Sequence, residues 1–542
     1  MPHGVDELAS TMPDTITPVP KPELVPQVDP ASVPATQVSR LSRFLHKCFS
    51  FRVLLGAILV SGVFFVERSI RLGPDTWWHL RVGTDILATH HFPVVDHYSF
   101  TARGVEWFSY EWLGNVVMAM AARAGLGGMD LLLMAVSSLI VVLIYYYAWL
   151  RCKECKAAFL ATVIVGPLAM LSMTLRPQLL GYTFLLITLI CLERFRQGHR
   201  NALWVLPPVF LLWVNTHGSF VLGFMAMGLY WASGLSDFSW GGIKAQRWSL
   251  GERIRLELAA LVSVLMLPIT PYGTRLATVP VEYAFALAVP KADVQEWQPL
   301  NFNFWQAKLL VILVLAFIVA QIAFRLSYRL EELALFFVIS YSAFVHFRFA
   351  IVFAIVFAPL AAVILARWTP PYDPRIDKYA LNALLILVAV ISWVWYFPSQ
   401  ADMERKVETE FPVQAVRYLR QHPIPEPMFN EYVFGGYLVW SREPTNGVFI
   451  DGRADLYEHA GVFQDYGSII DVTHNAPRLF GRYNIQSFLV KRGCPLATFL
   501  AATSKWEQVY QDDLSVLYVR KDISSEANQD RKAAQTLTKG LD

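Results

Sequence analysis

The chain has 542 residues, of which 55% are hydrophobic and only 16% are charged, and its formal net charge is +3. Soluble domains carry about a quarter charged residues, so this composition argues against a soluble enzyme, and the small net charge argues against a nucleic-acid-binding protein. The five cysteines do not form a disulfide framework, and the lone CxxC pair of Cys152 and Cys155 lacks the second pair of a zinc site.

The N-terminal segment is polar and precedes the first apolar block. Residues 1–45 are rich in Pro, Val, Thr and Asp and lack an apolar helical period, which predicts a disordered cytoplasmic tail. The first apolar block, residues 53–66, follows Arg40, Arg43, Lys47 and Arg52. Because positive flanks stay on the cytoplasmic side, this block predicts a cytoplasmic N-terminus.

Residues 46–398 contain further apolar blocks that predict an α-helical polytopic membrane domain of about eleven transmembrane helices. The blocks lie near 53–66, 129–150, 157–174, 178–194, 202–215, 219–235, 256–270, 306–324, 332–346, 349–367 and 380–397.

The connections between these blocks predict the topology. Those near 151–156, 194–200, 244–255, 325–329 and 366–378 are basic, whereas the alternate connections are short or near neutral. This alternation follows the positive-inside rule. An odd number of spans then predicts a multi-pass protein of the bacterial inner membrane whose C-terminal domain is periplasmic.

The C-terminal part differs in composition from the apolar blocks. Residues 399–523 carry charges, turns and short β-prone runs, which predict a small extracytoplasmic α/β domain, and residues 524–542 predict a disordered tail. Strands are expected at 447–451, 485–490, 506–510 and 514–519, and helices at 415–420 and 436–440.

The large first external loop, residues 71–112, contains the acidic candidates for catalysis. Asp75 follows the first span and is either a general base or the N-cap of a helix. Asp96 is likewise either a catalytic group or a turn residue. Glu111 is either a polar group of a site or a cap of the next helix. His79 lies beside two tryptophans, close to Asp75.

Other polar residues fall at the outer ends of later spans under the same topology. Taken singly, each of these residues is more often structural. Taken together, they predict one outward-facing cleft for a phosphate-bearing lipid and an acid–base step. These candidate binding residues are Arg176, Gln178, Asn215, His217, Tyr272, Glu296, His346 and Arg348.

Two segments of the C-terminal domain are dense in polar and aromatic residues. We expect Asn430, Tyr432, Asp451, Arg453 and Asp455 to face the membrane, where they cover the cleft or contact an acceptor. The alternative is a network of turns and salt bridges within the domain.

Several motifs carry a resemblance to a known family. DTWWHLRVGTDIL (75–87), FPVVDHYSFT (92–101), WVNTHGSF (213–220), TPYG (270–273), VHFRFA (345–350) and VFIDGRADLY (448–457) resemble a family of bacterial polytopic membrane proteins, over about residues 53–520. That family is similar to GT-C-type glycosyltransferases, which take sugars from polyprenyl-phosphate donors. The wider group includes protein mannosyltransferases, aminoarabinose transferases of lipid A and oligosaccharyltransferases.

The resemblance implies a GT-C-like fold and a membrane glycosyltransferase. It implies a polyprenyl-phosphate-linked sugar as donor, an extracytoplasmic glycan, lipid or protein as acceptor, and Asp75 as the base. The family pattern places a second acid beside this residue, whereas Thr76 and Trp77 follow it here.

The implied reaction gives roles to several other residues. Arg176, Arg348 or His217 would stabilise the departing lipid phosphate, and Asp96 would position the acceptor or a divalent metal. No P-loop or GxGxxG motif is present, which argues against a nucleotide donor. A non-enzymatic scaffold or lipid- or polysaccharide-handling factor with the same fold remains the alternative, and a transporter fits less well because paired broken helices are not evident.

Overall fold

The computed structural model describes residues 40–66, 71–285, 297–442 and 447–521. Within these ranges the chain is mostly helical. The helices are α1 (Arg40–Cys48), α2 (Phe51–Val66), α3 (Pro74–Thr89), α4 (Trp112–Ala122), α5 (Gly125–Cys152), α6 (Cys155–Met170), α7 (Gln178–Arg196), α8 (Leu206–Val214), α9 (Phe220–Ser233), α10 (Leu250–Met266), α11 (Arg275–Phe285), α12 (Trp305–Phe324), α13 (Leu330–Val345), α14 (Ala350–Leu365), α15 (Tyr379–Trp395), α16 (Gln400–Glu410), α17 (Val413–Gln421), α18 (Tyr432–Ser441), α19 (Ala454–His459), α20 (Val462–Ile470), α21 (Ala476–Arg482) and α22 (Pro495–Ala502).

The strands form two small sheets in the described residues. The first sheet has the order β1-β2-β3 and the second, in the C-terminal part, has the order β4-β5-β7-β6. In the second sheet β4 and β5 are parallel, and the other neighbours are antiparallel. The strands are β1 (Phe238–Trp240), β2 (Ile243–Ala245), β3 (Tyr328–Arg329), β4 (Met428–Asn430), β5 (Ser487–Lys491), β6 (Trp506–Gln511) and β7 (Ser515–Arg520).

A helix lies at each apolar block that the sequence predicts, but not every helix is long enough to be assigned as a span. Among the described residues, α5, α7, α12 and the helical stretch Phe347–Leu365 are long and apolar enough to cross a membrane. The bent pair of α15 and α16, with an angle of 61°, makes five if it counts as one span. The predicted count of about eleven spans is therefore not confirmed.

Helix α14 is at the centre of the membrane domain. It is apolar on every side and almost entirely buried, as expected of a helix surrounded by other helices. It packs against α5, α6 and α13. Helix α6 contributes Ala157, Ala158 and Ala161, which have no exposed surface, and such small residues allow helix backbones to approach closely.

Buried ion pairs join α5, α7 and α13 near the end that the basic connections predict to be cytoplasmic. Arg196 pairs with Glu331 at 2.8 Å, and Arg329, which precedes α13, pairs with Glu193 at 2.6 Å. Arg151 at the end of α5 pairs with Glu332. A buried charge needs such a partner, so these pairs hold the three helices in register.

The first loop and the C-terminal part share one hydrophobic core. Trp78, Tyr98 and Trp107 of the loop are buried together with Phe429 and Phe434 of the C-terminal part. The described residues from Phe49 onward accordingly belong to one compact unit, and the described residues up to Cys48 belong to another. The C-terminal part is therefore built onto the first loop and is not a separate compact unit.

The C-terminal part confirms most predicted elements and corrects one. Helices α17 and α18 and strands β5, β6 and β7 lie where the sequence predicts them. The strand expected at 447–451 is wrong, because Val448 makes only an isolated bridge to Ser99 of the first loop. Strand β4, which we did not predict, completes the sheet instead.

The predicted tails lie mostly outside the described residues. Within the range 1–45, the described residues from Arg40 onward belong to α1. Residues 524–542 are outside the described ranges.

Candidate functional site

Asp75 lies in the first turn of α3 and forms an ion pair with Arg176. Gly73, and not Asp75, is the N-cap residue of this helix. Thr76 Oγ1 accepts a hydrogen bond from the Gly73 N–H at 3.0 Å and donates one to the Leu175 carbonyl at 2.8 Å. The N-cap interpretation of Asp75 is therefore wrong. Its Oδ2 lies 3.3 Å from Arg176 Nη1, so the carboxylate is held by a guanidinium.

The backbone of the C-terminal part lies directly against this carboxylate. A Cβ atom placed on Gly452 would be 1.8 Å from Asp75 Oδ1 and 3.0 Å from the indole nitrogen of Trp78. Only a residue without a side chain fits at this distance. Gly452 thus forms one wall beside Asp75, while Arg176 interacts with the other carboxylate oxygen.

The Glu111 side chain lies between two histidines. Its Oε2 is 3.5 Å from His79 Nε2, and its Oε1 is 3.2 Å from His217 Nε2. Glu111 is the N-cap residue of α4, but its side chain makes no capping hydrogen bond. His79 follows Asp75 by four residues on α3, so the two side chains lie on the same helix face. Of the two interpretations of Glu111, a cap made by its side chain is therefore not observed.

The hydrogen bonds around the two imidazoles define where their protons lie. The Ser219 N–H donates to His217 Nδ1 at 3.0 Å, so in the neutral ring Nε2 carries the hydrogen and donates to Glu111. Asn115 donates from Nδ2 to Ser109 Oγ at 2.9 Å, which turns its Oδ1 toward His79 Nδ1 at 2.7 Å.

His79 must then donate from Nδ1 to the amide of Asn115. Its Nε2 is left as an acceptor that faces Glu111. The geometry therefore favours a proton on the Glu111 carboxyl, donated to His79.

The electrostatic surroundings of Glu111 favour the same state. Burial, together with the charges of Asp75 and Asp455, raises the pKa of Glu111 to about 8, against the smaller opposite effects of Arg348 and Arg176. At neutral pH the carboxyl is therefore mostly protonated.

Both histidines are neutral at neutral pH. Burial lowers the pKa of His217 to about 3, with a smaller contribution from Arg348. Burial also lowers the pKa of His79 well below its usual value. A neutral carboxylic acid thus lies between two neutral imidazoles.

A cavity of about 620 Å³ adjoins Arg176 and contains a second guanidinium, that of Arg348. We call it the arginine cavity. The Arg348 guanidinium lies over the ring of Trp297 at 4.3 Å. The cavity lining is Leu171, Ser172, Thr174, Arg176, Gln178, Tyr182, Gln298, Pro299, Asn301, Phe304, Gln306, Phe347 and Arg348. Two cations, several amides and a few apolar side chains suit a phosphate attached to an apolar chain.

Three other predicted binding residues hold the protein backbone or side chains in place. Asn215 accepts a hydrogen bond from the indole N–H of Trp112 at 2.8 Å and donates to two carbonyl groups. Tyr272 donates its hydroxyl to a carbonyl of the first loop at 3.1 Å. His346 Nδ1 is 2.8 Å from the carbonyl oxygen of Trp297. None of the three lines the arginine cavity. Gln178 lines it, and Glu296 lies outside the described residues.

Asp96 belongs to a buried ion-pair network. Arg453 Nη1 is 2.6 Å from Asp96 Oδ1, and Arg453 Nη2 is 2.6 Å from Asp451 Oδ2. Asp96 has no exposed surface and also accepts hydrogen bonds from Ser99 and Tyr98. Although burial alone would raise its pKa, Arg453 and these hydrogen bonds bring the pKa of Asp96 below its usual value.

This environment contradicts the prediction that Asp96 is catalytic or holds a metal. Its oxygens are already bonded to protein groups, and substrate cannot reach them. Asp96, Asp451 and Arg453 instead join the first loop to the C-terminal part. Among the described residues, no group of three or more His, Cys, Asp or Glu side chains could hold a metal ion.

The five polar residues predicted to cover the cleft divide into two groups. Asn430, Asp451 and Arg453 are buried in the domain, as the network alternative expected. Tyr432 and Asp455 are close to the charged groups: Tyr432 donates its hydroxyl to Gly452 at 3.3 Å, and burial followed by the charge of Asp75 raises its pKa. The expectation of one membrane-facing surface is therefore wrong for the buried three.

The sequence did not indicate the supporting roles of Asn115, Ser109 and Gly452. Asn115 follows Glu111 by four residues, a helical spacing that was available as a signal. Gly452 carried no comparable local signal, because its role depends on a contact with a residue far along the chain.

Comparison with known proteins identifies similarities in structure only. No protein-family model matches the chain, and no curated protein matches it. The archaeal oligosaccharyltransferase AglB from Archaeoglobus fulgidus, in complex with an inhibitory peptide and a dolichol-phosphate, is similar with a TM-score of 0.47 and 11% identity, over 84% of this chain and 70% of that one. ArnT from Cupriavidus metallidurans bound to undecaprenyl phosphate is similar with a TM-score of 0.46 and 15% identity, over 86% of this chain and 97% of that one.

Both TM-scores lie below 0.5, so the activities of these two enzymes carry no conclusion about the reaction of this protein.

Proposed function

We propose that this protein is a membrane glycosyltransferase that moves a sugar from a polyprenyl-phosphate donor to an extracytoplasmic acceptor. The observation that carries this proposal is the position of Asp75, which is ion-paired to Arg176 at the edge of the arginine cavity. A carboxylate able to take a proton thus adjoins two guanidiniums able to bind a phosphate. The acceptor is a glycan, a lipid or a protein.

The arginine cavity supplies the donor site. Arg176 and Arg348 bind the donor phosphate through charge-assisted hydrogen bonds, which are stronger than those between neutral groups. Gln178 adds an amide donor, and Phe304 and Phe347 offer apolar surface to the first units of the prenyl chain.

Asp75 acts as the general base in this proposal. It takes the proton of an acceptor hydroxyl, whose oxygen then forms a bond to the anomeric carbon of the sugar. The bond between that carbon and the phosphate oxygen breaks, and the electron pair stays with the lipid phosphate. Arg176 and Arg348 stabilise the charge that develops there.

The proposal includes a location. The charge pattern of the connections supports a multi-pass protein of the bacterial inner membrane, with a cytoplasmic N-terminus and a periplasmic C-terminal domain. The donor would enter the arginine cavity from the surrounding membrane lipid.

The test compares lipid and glycan profiles of a deletion strain that carries different variants. Wild type should restore the missing product, and Asp75→Asn should not, since loss of general-base assistance costs about 10²–10⁴-fold in rate. Asp85→Asn is the matched control, because Asp85 lies on the same helix and also pairs with an arginine, Arg81, at 3.1 Å. It should restore the product.

Full rescue by Asp75→Asn, at wild-type expression and melting temperature, would contradict the enzymatic proposal. The non-enzymatic scaffold or lipid-handling factor would then be the better interpretation. A misfolded Asp75→Asn protein would be recognised by its melting temperature, and Asp75→Glu would then replace it, with a rate reduced but not abolished.

A further inference from the structure

The Glu111 carboxyl is surrounded by charged and titratable groups from several segments of the chain. Its direct neighbours are His79 and His217. Charges that act on it come from α3, from the residues before α7 and α14, and from α19. Those charged residues are Asp75, Arg176, Arg348 and Asp455.

The net charge of Glu111 and these four surrounding residues depends on the proton of Glu111. With Glu111 neutral, the two guanidiniums of Arg176 and Arg348 balance the carboxylates of Asp75 and Asp455. With Glu111 ionised, a third carboxylate gives the group a net negative charge. An anionic phosphate in the arginine cavity would then be repelled by a charge screened little by solvent.

The hydrogen bonds also depend on that proton. His79 Nε2 is an acceptor, because Nδ1 donates to Asn115. If Glu111 lost its proton, two acceptors would face each other at 3.5 Å. Ionisation of Glu111 therefore breaks the contact with His79, while the hydrogen bond from His217 remains.

We propose that Glu111 is a positioning residue whose proton, held between His79 and His217, keeps the arginine cavity in the charge state that binds a lipid phosphate. This inference rests on the proposed function and adds a condition to it: the donor phosphate binds well only while Glu111 is protonated. Glu111 takes no part in bond making. It acts on the phosphate through the charge of the site.

Binding of undecaprenyl phosphate to the purified full-length protein tests the inference without any catalytic step. Affinity is measured between about pH 6.5 and about pH 9.5, a range that brackets the raised pKa. Glu111→Gln replaces the titratable carboxyl group with an amide, which remains a neutral hydrogen-bond donor at all pH values. Glu431→Gln is the matched control, since burial also raises the pKa of Glu431 and its side chain faces Lys491 in the C-terminal part.

The expected result is a difference in lipid affinity between wild type and Glu111→Gln that grows with pH. At the acid end wild type and Glu111→Gln bind alike. As the pH rises through about 8, where Glu111 loses its proton, wild-type affinity should fall on the order of tenfold below that of Glu111→Gln. Titration of the lipid phosphate itself is common to both proteins and cancels in this ratio. Glu431→Gln should follow wild type.

Two outcomes distinguish this inference from the proposed function. Equal pH dependence in wild type and Glu111→Gln would overturn the role of Glu111 and leave the donor site intact. Failure of wild type to bind the lipid at neutral pH would overturn the donor site itself. If Glu111→Gln is unstable, infrared spectra of wild type replace it: a protonated carboxylic acid band that is absent at pH 7, or that does not decline through about pH 8, would overturn the inference.

Discussion

At the scale of single residues, the site contains two carboxyl groups with opposite surroundings. Asp75 is held by the guanidinium of Arg176 at 3.3 Å, whereas Glu111 lies between His79 and His217 in a buried setting. In the proposed mechanism, these surroundings suit Asp75 to act as the base and Glu111 to remain a neutral donor. No second acid follows Asp75 directly in the chain, but the charge of Asp75 acts on the Glu111 carboxyl across the site.

Removal of the Arg453 side chain should lower the free energy of unfolding far more than removal of an exposed arginine side chain. Arg453→Ala leaves Asp96 and Asp451 buried without their cation, and breaking such a pair costs about 3–5 kcal/mol. Arg482→Ala is the control: its side chain is mostly exposed and pairs with Asp465, and such a pair contributes at most about 1 kcal/mol. Thermal unfolding in detergent measures both, and equal melting temperatures would contradict the assigned structural role.

At the scale of elements, the contact between α18 and α3 connects the C-terminal part to the helix that bears Asp75. A Cβ atom on Gly436 of α18 would lie 2.2 Å from the carbonyl oxygen of Pro74 at the start of α3. The two helices can approach this closely only because Gly436 has no side chain. Any separation here would also move Gly452 away from Asp75.

Gly436→Ala should therefore destabilise the protein and abolish its activity, although alanine favours helices. The control is Gly467→Ala in α20, where a Cβ atom would meet nothing within 4 Å. That change should be neutral or stabilising by about 0.5–1 kcal/mol. Melting temperature and rescue of the deletion strain give the two measurements. A fully active Gly436→Ala protein would show that this close contact is not needed for the site.

At the scale of the whole molecule, polar groups concentrate at the two ends of the membrane helices. Helix α7 spans 19 residues, or roughly 28 Å at 1.5 Å per residue. It begins beside Arg176 and the arginine cavity and ends at Glu193 and Arg196, in the buried ion pairs. The proposed site and the ion-pair cluster therefore lie a helix length apart.

The topology can be tested by a reporter fused after Arg520, at the end of β7. The basic connections predict that alkaline phosphatase fused there is active, since that enzyme folds in the periplasm, and that a fluorescent cytoplasmic reporter is dark. A fusion after Arg325, in a basic connection, is the control with the opposite outcome. Reversed results would place the arginine cavity on the cytoplasmic side and contradict the proposed donor geometry.

The sequence predicted best those features that depend on local patterns. The helix positions follow from apolar blocks, and β5, β6 and β7 follow from short β-prone runs. Asp96 could not be placed, because its partner Arg453 is 357 residues away and neither residue has a local signature of the pairing. The strand expected at 447–451 has the composition of a strand, but the first loop occupies its edge through Ser99.

The separation of Asp96 from Arg453 has a consequence for biosynthesis. The first loop leaves the ribosome 357 residues before its buried partner, a delay of about 18–70 s at 5–20 residues per second. Throughout that time the loop cannot complete its core, and Gly452 is not yet beside Asp75. The site is thus assembled only when nearly the whole chain has been made. A chain that stalls or is cut short remains inactive and retains exposed apolar surface for quality-control proteases to recognise.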